Sequence, residues 1–241
     1  MSASNDLRPR PQLPSGRPES SVGPLVAAVA GLALVALCDV FSLVAGFRLR
    51  AVIDGDGGFL TAGQQDLDAA ASLYDTAARY QVIVYLPAAI AFIVWFFRMR
   101  RATGLMAPDR FRNGPGWAIG AWLIPLANLW MPYRIAVDMW GAATPLPAEG
   151  ERFRARLWPV NLWWGLFVLS ILVNRFAGTK YRNAETLAEI RDGVGQYMAA
   201  DVLHVVAAAA AMYFAVRLST MQRLKAAEGP YGPAVAKETA A

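Results

Sequence analysis

Three ionisable side chains interrupt the apolar runs of this 241-residue chain. Asp39 lies in "LALVALCDVFSLVAGF", and Asp201 and His204 lie in "YMAADVLHVVAAAAAM". His204 is the only histidine. A carboxylate at the centre of a membrane helix costs roughly 2.5–3.5 kcal/mol to insert, so such residues mark either an ion or proton pathway or a partner across the bundle. An imidazole adds a group that changes charge near neutral pH. The chemistry implied by Asp39, Asp201 and His204 is therefore proton relay or ion coupling. The plainer reading is a structural pair that hides two polar groups from lipid. Asp201 stands one turn before His204, and His204 shares a helix face with Ala208, Ala211 and Ala215, small residues that permit close packing. Catalysis by a nucleophile such as Ser42 is disfavoured, because no hydrolase elbow surrounds it.

A second polar set sits in "GPGWAIGAWLIPLANLWMPYRIAVDMW", residues 114–140. Arg134 and Asp138, four apart, can pair as an anchoring ion pair or line a cavity. Pro125 and Pro132 lack an N–H, so in a helix they would free the carbonyls of Ala121 and Asn128, which Asn128 could then bond. A third set is the cationic run Arg98, Arg100, Arg101, Arg110 and Arg112, suited to anionic lipid at about 1 kcal/mol per basic residue near the surface. Nothing points to a cofactor or metal. Cys38 is the single cysteine, which rules out an intrachain disulfide or a thiolate cluster. "DGDGG" at residues 54–58 lacks the glycine and glutamate of a calcium loop. No phosphate loop or zinc motif is present, and Gly116 and Gly120 give only an isolated G-x-x-x-G.

The aromatic-rich "FIVWFFRMRRA" followed by "GWAIGAWLIPLANLWMPYRIAVDMW" resembles a bacterial, largely actinobacterial, family of uncharacterised membrane proteins (domain of unknown function, DUF family 4328). The resemblance covers roughly residues 62–223. It implies a multi-pass membrane domain and brings no activity or site residues.

The elements that must position these groups follow from hydropathy. The chain is 56% hydrophobic and 17% charged, against about 45–50% and 25% for soluble proteins. The apolar surplus comes in runs near the 20 residues that cross a bilayer, at about 25–47, 80–97, 157–173 and 197–218. The net charge of +5 sits beside these runs, as membrane orientation requires, and does not form a nucleic-acid surface. Residues 1–22, rich in proline, and 225–241 read as disordered tails around a helical membrane domain, 23–224. Thr61 and Gln64 fit a capping box that opens a long helix running into the second span, where Pro87 predicts a kink. Residues 174–195 read as a polar connector.

The remaining question is residues 116–142. Arginine-rich loops stay in the cytoplasm. If this stretch turned back, the N-terminal tail, the Arg98–Arg112 loop, the Arg152–Arg156 loop and the C-terminal tail would share that compartment. The expected fold is thus an all-α polytopic bundle of four transmembrane helices plus one Pro-kinked re-entrant or interfacial segment, with five transmembrane helices as the alternative. Trp117, Trp122, Trp130 and Trp140 favour an interfacial position for the insert. With four spans, Asp39 and His204 fall at one depth in the outer half; with five they miss by about 12 Å. The functional expectation is a cell-membrane protein with both termini cytoplasmic, acting as a non-enzymatic scaffold or regulatory partner. A small transporter or channel-like component using Asp39, Asp201 and His204 is the alternative, and an intramembrane enzyme ranks third. The expected partners are the bilayer and its anionic lipids. Neither a protein partner nor a homo-oligomer is readable.

Overall fold

The computed structural model describes residues 22–55, 63–145 and 155–228. Six α-helices and no strand occur among them: α1 (Val22–Asp54), α2 (Gln64–Met106), α3 (Trp117–Leu123), α4 (Met131–Ala143), α5 (Trp158–Arg182) and α6 (Leu187–Glu228). Four of these, α1, α2, α5 and α6, are long and apolar enough to cross a bilayer. Their composition explains the helices. Each is rich in Ala, Leu and other good helix formers, and apolar residues run along all sides, as lipid-facing helices require.

Two apolar cores lie at opposite ends of this bundle. The larger joins Leu25 and Ala28 of α1, Phe92 to Met99 of α2, Val160 and Trp163 of α5, and Ala210 to Leu218 of α6. Its centre is aromatic: Trp163 stacks on Phe214 at 4.4 Å with planes 2° apart, and Trp95 meets Phe214 edge-on at 5.9 Å. The smaller core joins Ala45, Leu49 and Ile53 of α1 to Tyr74 and Ala77 of α2 and to Val194 and Met198 of α6. The membership shows that α1 and α5 run one way and α2 and α6 the other. It also gives each end a charge. Among the described residues, ten Lys and Arg against three Asp and Glu lie at the large-core end, and seven against seven lie at the other.

The insert enters and leaves at the large-core end. α2 finishes there, α5 begins there, and Ala118, Ala121, Ile135, Met139 and Trp140 all belong to the large core. The α3 residue Trp122 reaches Phe92, Phe96 and Phe167 at 5.7–5.9 Å. Phe167 is nine residues into α5, so the tip penetrates about 14 Å along it. The chain then reverses through Pro125, exposing Leu123 and Leu126, and α4 climbs back. Lys225 of α6 receives it, donating to the carbonyls of Ala142 and Thr144 at 2.7 and 3.0 Å, where the helix end leaves acceptors unpaired. Seven and thirteen residues are each too short to cross a membrane, so among the described residues four helices, and neither α3 nor α4, are long enough to span.

Several expectations change in detail. Pro132 does not kink a helix; it opens α4 at a position where the missing N–H has no partner to lose. Trp140 is buried and Trp122 half-buried in the aromatic core, while Trp117 and Trp130 are exposed. Residues 174–195 are mostly helical: α5 continues to Arg182 and α6 starts at Leu187. A capping box starts α6, with Glu189 N donating to Thr186 Oγ1 and Thr186 N donating to Glu189 Oε2. Gly116 and Gly120 face open space, whereas at Gly31 two long helices approach closely: a Cβ there would lie 3.0 Å from Ala88 Cα. α2 passes through Pro87 as one helix. Thr61, Asp56 to Gly58, Arg152, Arg154 and residues 1–21 and 229–241 lie outside the described residues, whereas Val22 opens α1 and residues 225–228, expected in the C-terminal tail, continue α6.

Candidate functional site: a polar layer between two apolar cores

Between the two cores each long helix contributes polar groups at one level: Asp39 and Ser42 from α1, Gln81 from α2, Ser170 from α5, and Asp201 and His204 from α6. Asp39, Gln81 and His204 stand about 22–26 Å from the small-core ends of their helices. The antiparallel run of α1 and α6 makes this register possible. Each sequence places its polar residue one to two turns from small or flat side chains (Ala45, Ala77, Met198) that let the helices close above it.

Gln81 is the hub. Its Nε2 donates to Asp39 Oδ1 at 2.7 Å and to Asp201 Oδ1 at 2.9 Å, which uses both amide hydrogens. His204 Nδ1 lies 4.0 Å from Asp39 Oδ1. The imidazole also lies beside the Ser170 main chain. The Ser170 hydroxyl itself donates to the Phe167 carbonyl at 2.8 Å. The Ser42 hydroxyl is near Asp201 but short of good hydrogen-bonding geometry, so Oδ2 of Asp201, like Oδ2 of Asp39, is buried without a hydrogen-bond partner. Asp39 is 2% and Asp201 4% exposed, and the His204 side chain is 25% exposed. One oxygen of each carboxylate and one imidazole nitrogen lie within 4.8 Å of one another.

Such an arrangement can bind positive charge. Two buried carboxylates side by side are unfavourable unless opposite charge joins them. The described groups nearest the two carboxylates include the Gln81 amide, the Ser42 hydroxyl, the His204 imidazole and, within electrostatic reach of Asp201, the Tyr74 phenol. Gln81 was not singled out in the sequence. The available signal was a lone amide at the head of an apolar run, next to Tyr80.

The second polar set is drawn together differently. Asp138, on α4 and outside the spanning helices, has Arg134, Arg110, Arg100 and Arg112 around it. Burial pushes its carboxyl above the ordinary range, although all four guanidinium groups pull it down. Arg100 donates to the Asn113 carbonyl at 2.7 Å and lies 3.6 Å over the Phe111 ring. Arg110 is seated against Gly141, where a Cβ would collide with its guanidinium. Arg101 lies over Phe97 at 6.0 Å, and Arg98 is not among the charges around Asp138. No hydrogen bond from the Asn128 side-chain amide to the carbonyls of Ala121 or Asn128 occurs among the described residues; its Oδ1 is buried without a donor, and its backbone N–H donates to the Ile124 carbonyl at 2.8 Å.

The family model described as Domain of unknown function (DUF4328) matches residues 61–220. That stretch contains Gln81, Asp201 and His204, while Asp39 lies before it. No curated protein and no solved structure matches the chain.

Proposed function

The chain belongs to the DUF4328 family, and from that premise we propose that it is an ion-handling multi-pass membrane protein, a small transporter or channel-like component whose working site is the Asp39–Gln81–Asp201–His204 layer. One observation carries this reading: two buried carboxylates share a single amide donor and each keeps an unpartnered oxygen. A layer that only clasps helices together gains from satisfying every buried acceptor, since each one left over costs about 1–3 kcal/mol. A layer that receives a proton or cation has to leave acceptors open.

A scaffold or regulatory role has its own support in the dryness of Asp39 and Asp201, 2% and 4% exposed. The orphaned oxygens weigh against it, because dryness raises the cost of each. Orientation follows from charge: the large-core end, with its ten basic residues, takes the cytoplasmic side, which puts both termini there and the polar layer in the outer half. The Arg100, Arg110, Arg112 and Arg134 group around Asp138 then faces the anionic cytoplasmic leaflet, where phosphate headgroups are its natural ligands.

The test is flux into sealed liposomes containing the purified protein, with an imposed proton or cation gradient and a fluorescent indicator inside. Protein-dependent flux that falls at least tenfold in Asp39→Asn and Asp201→Asn is expected. Vesicles as tight as empty ones under every gradient would reject transport and leave the scaffold reading.

A further inference from the structure

We propose that the polar layer is a binding site for a divalent first-row transition-metal ion, with Asp39, Asp201 and His204 as ligands and Gln81 orienting both carboxylates from outside the coordination shell. The proposal rests on the ion-handling reading and names the class of ion.

The geometry is the first argument. Metal–ligand bonds of about 2.0–2.2 Å place neighbouring donor atoms about 3.0–3.5 Å apart. One oxygen of each carboxylate and one imidazole nitrogen lie within 4.8 Å of one another, with Asp39 Oδ1 4.0 Å from His204 Nδ1, so a contraction of roughly 1–2 Å, with the carboxylates turned to present Oδ2, closes them on an ion. That movement is assigned to rotation of the three side chains about their own torsions.

The unpartnered oxygens are the second argument. Gln81 binds Oδ1 of both carboxylates through one nitrogen. This orients the two carboxylates and leaves Oδ2 of Asp39 buried with no partner and Oδ2 of Asp201 with only the nearby Ser42 hydroxyl. A ligand carboxylate whose other oxygen is held by a hydrogen bond is the usual second-shell arrangement of a metal site. The two residues are more than nine-tenths buried, so those lone pairs are not spent on solvent.

Charge is the third. A dication with two carboxylates and a neutral imidazole sums to zero, which suits a site between two apolar cores. A single proton on the same groups leaves one negative charge buried.

The donor set selects the class. Calcium takes six to eight oxygens, and magnesium keeps most of its water and binds through few protein ligands; neither favours imidazole. Imidazole with carboxylates suits manganese, iron, cobalt and zinc. Three protein ligands leave coordination positions open, as a site that must release its ion requires. No contiguous metal-ligand motif marks this set, because α1 supplies one ligand and α6 the other two, at the far end of the chain.

The experiment uses full-length protein purified through a non-histidine tag, stripped with chelator and placed in lipid nanodiscs. Zn²⁺ is titrated by calorimetry and Co²⁺ by its visible absorption. One ion per chain is expected, with Kd below roughly 100 µM. Asp39→Asn, Asp201→Asn and His204→Gln should each weaken binding at least tenfold, and Gln81→Leu about 10–100-fold. Circular dichroism identifies any variant that fails to fold. A second readout needs no variant: Co²⁺ bound to the wild-type protein should displace the single histidine's ring NMR signals. Absence of 1:1 binding, or binding indifferent to all three ligand changes with the histidine signals unmoved, overturns the site. The two proposals fail separately. Metal bound in nanodiscs without flux in liposomes sinks transport alone, whereas proton flux without metal binding sinks the metal site alone.

Discussion

Gln81→Leu is the sharpest perturbation of the polar layer. The substitution keeps the side-chain volume close and removes both donors, at 2.7 and 2.9 Å from Asp39 and Asp201. Hydrogen bonds to charged acceptors contribute about 1.5–3 kcal/mol each. Polar contacts between membrane helices average only about 0.6 kcal/mol, with a maximum near 1.7. Both acceptors here are carboxylates with almost no exposure, so the upper end of the membrane range applies: about 1.5 kcal/mol each, or about 3 kcal/mol for the pair. That is a factor of roughly 150 in the folding equilibrium. The assay is reversible unfolding in mixed micelles of rising SDS fraction, followed by tryptophan fluorescence with chelator present. In an Asp39→Asn/Asp201→Asn background the same change should cost under about 1 kcal/mol, since the acceptors are then neutral. A loss below about 0.5 kcal/mol in the wild-type background, or an equal loss in both, would refute the hub role.

Three further outcomes follow from other parts of the fold. Gly31→Leu should separate α1 from α2, because even its Cβ meets Ala88 backbone at 3.0 Å; the expected loss is about 1–3 kcal/mol in the same unfolding assay. Thr186→Ala removes the acceptor for Glu189 N–H and should cost about 1 kcal/mol, seen as faster hydrogen exchange in the first turn of α6. Asp138 should titrate above the ordinary aspartate value in carboxyl-selective ¹³C NMR. An acid whose folded value is raised gives stability at low pH that is lost as pH rises through that value, so Asp138→Asn should flatten the stability slope just above the usual carboxylate range.

Hydropathy carried most of the architecture, because span length is set by a fixed bilayer thickness and needs no tertiary information. The returning insert was readable for a different reason: arginines on both flanks and prolines within left one consistent sidedness. The meeting of Asp39 with His204 followed from that topology by counting residues. Gln81 escaped because an amide at the head of the apolar run 80–97 reads as a span edge; the helix running in from Gln64 was expected, but the level at which it meets α1 and α6 is set by tertiary packing. The polar stretch 174–195 looked like a connector because its charge balance resembles a loop. Thr186 and Glu189 cap a helix there, and Arg191 ties it to Asp54 at 2.5 Å. The convergence of Arg100, Arg110 and Arg112 on Asp138 depends on how a loop folds back on α4, and no local pattern encodes that.

The account depends on four crossings with a returning insert, since only that arrangement brings α1 and α6 into register at the polar layer. Its direct test is labelling of single cysteines with a membrane-impermeant maleimide in a Cys38→Ser background, in intact and permeabilised cells. Leu105→Cys, just before the insert, and Arg156→Cys, just after it, should label from the same side, with Ala184→Cys labelling from the other. Leu105→Cys and Arg156→Cys labelled from opposite faces would make the insert a fifth crossing and contradict the account.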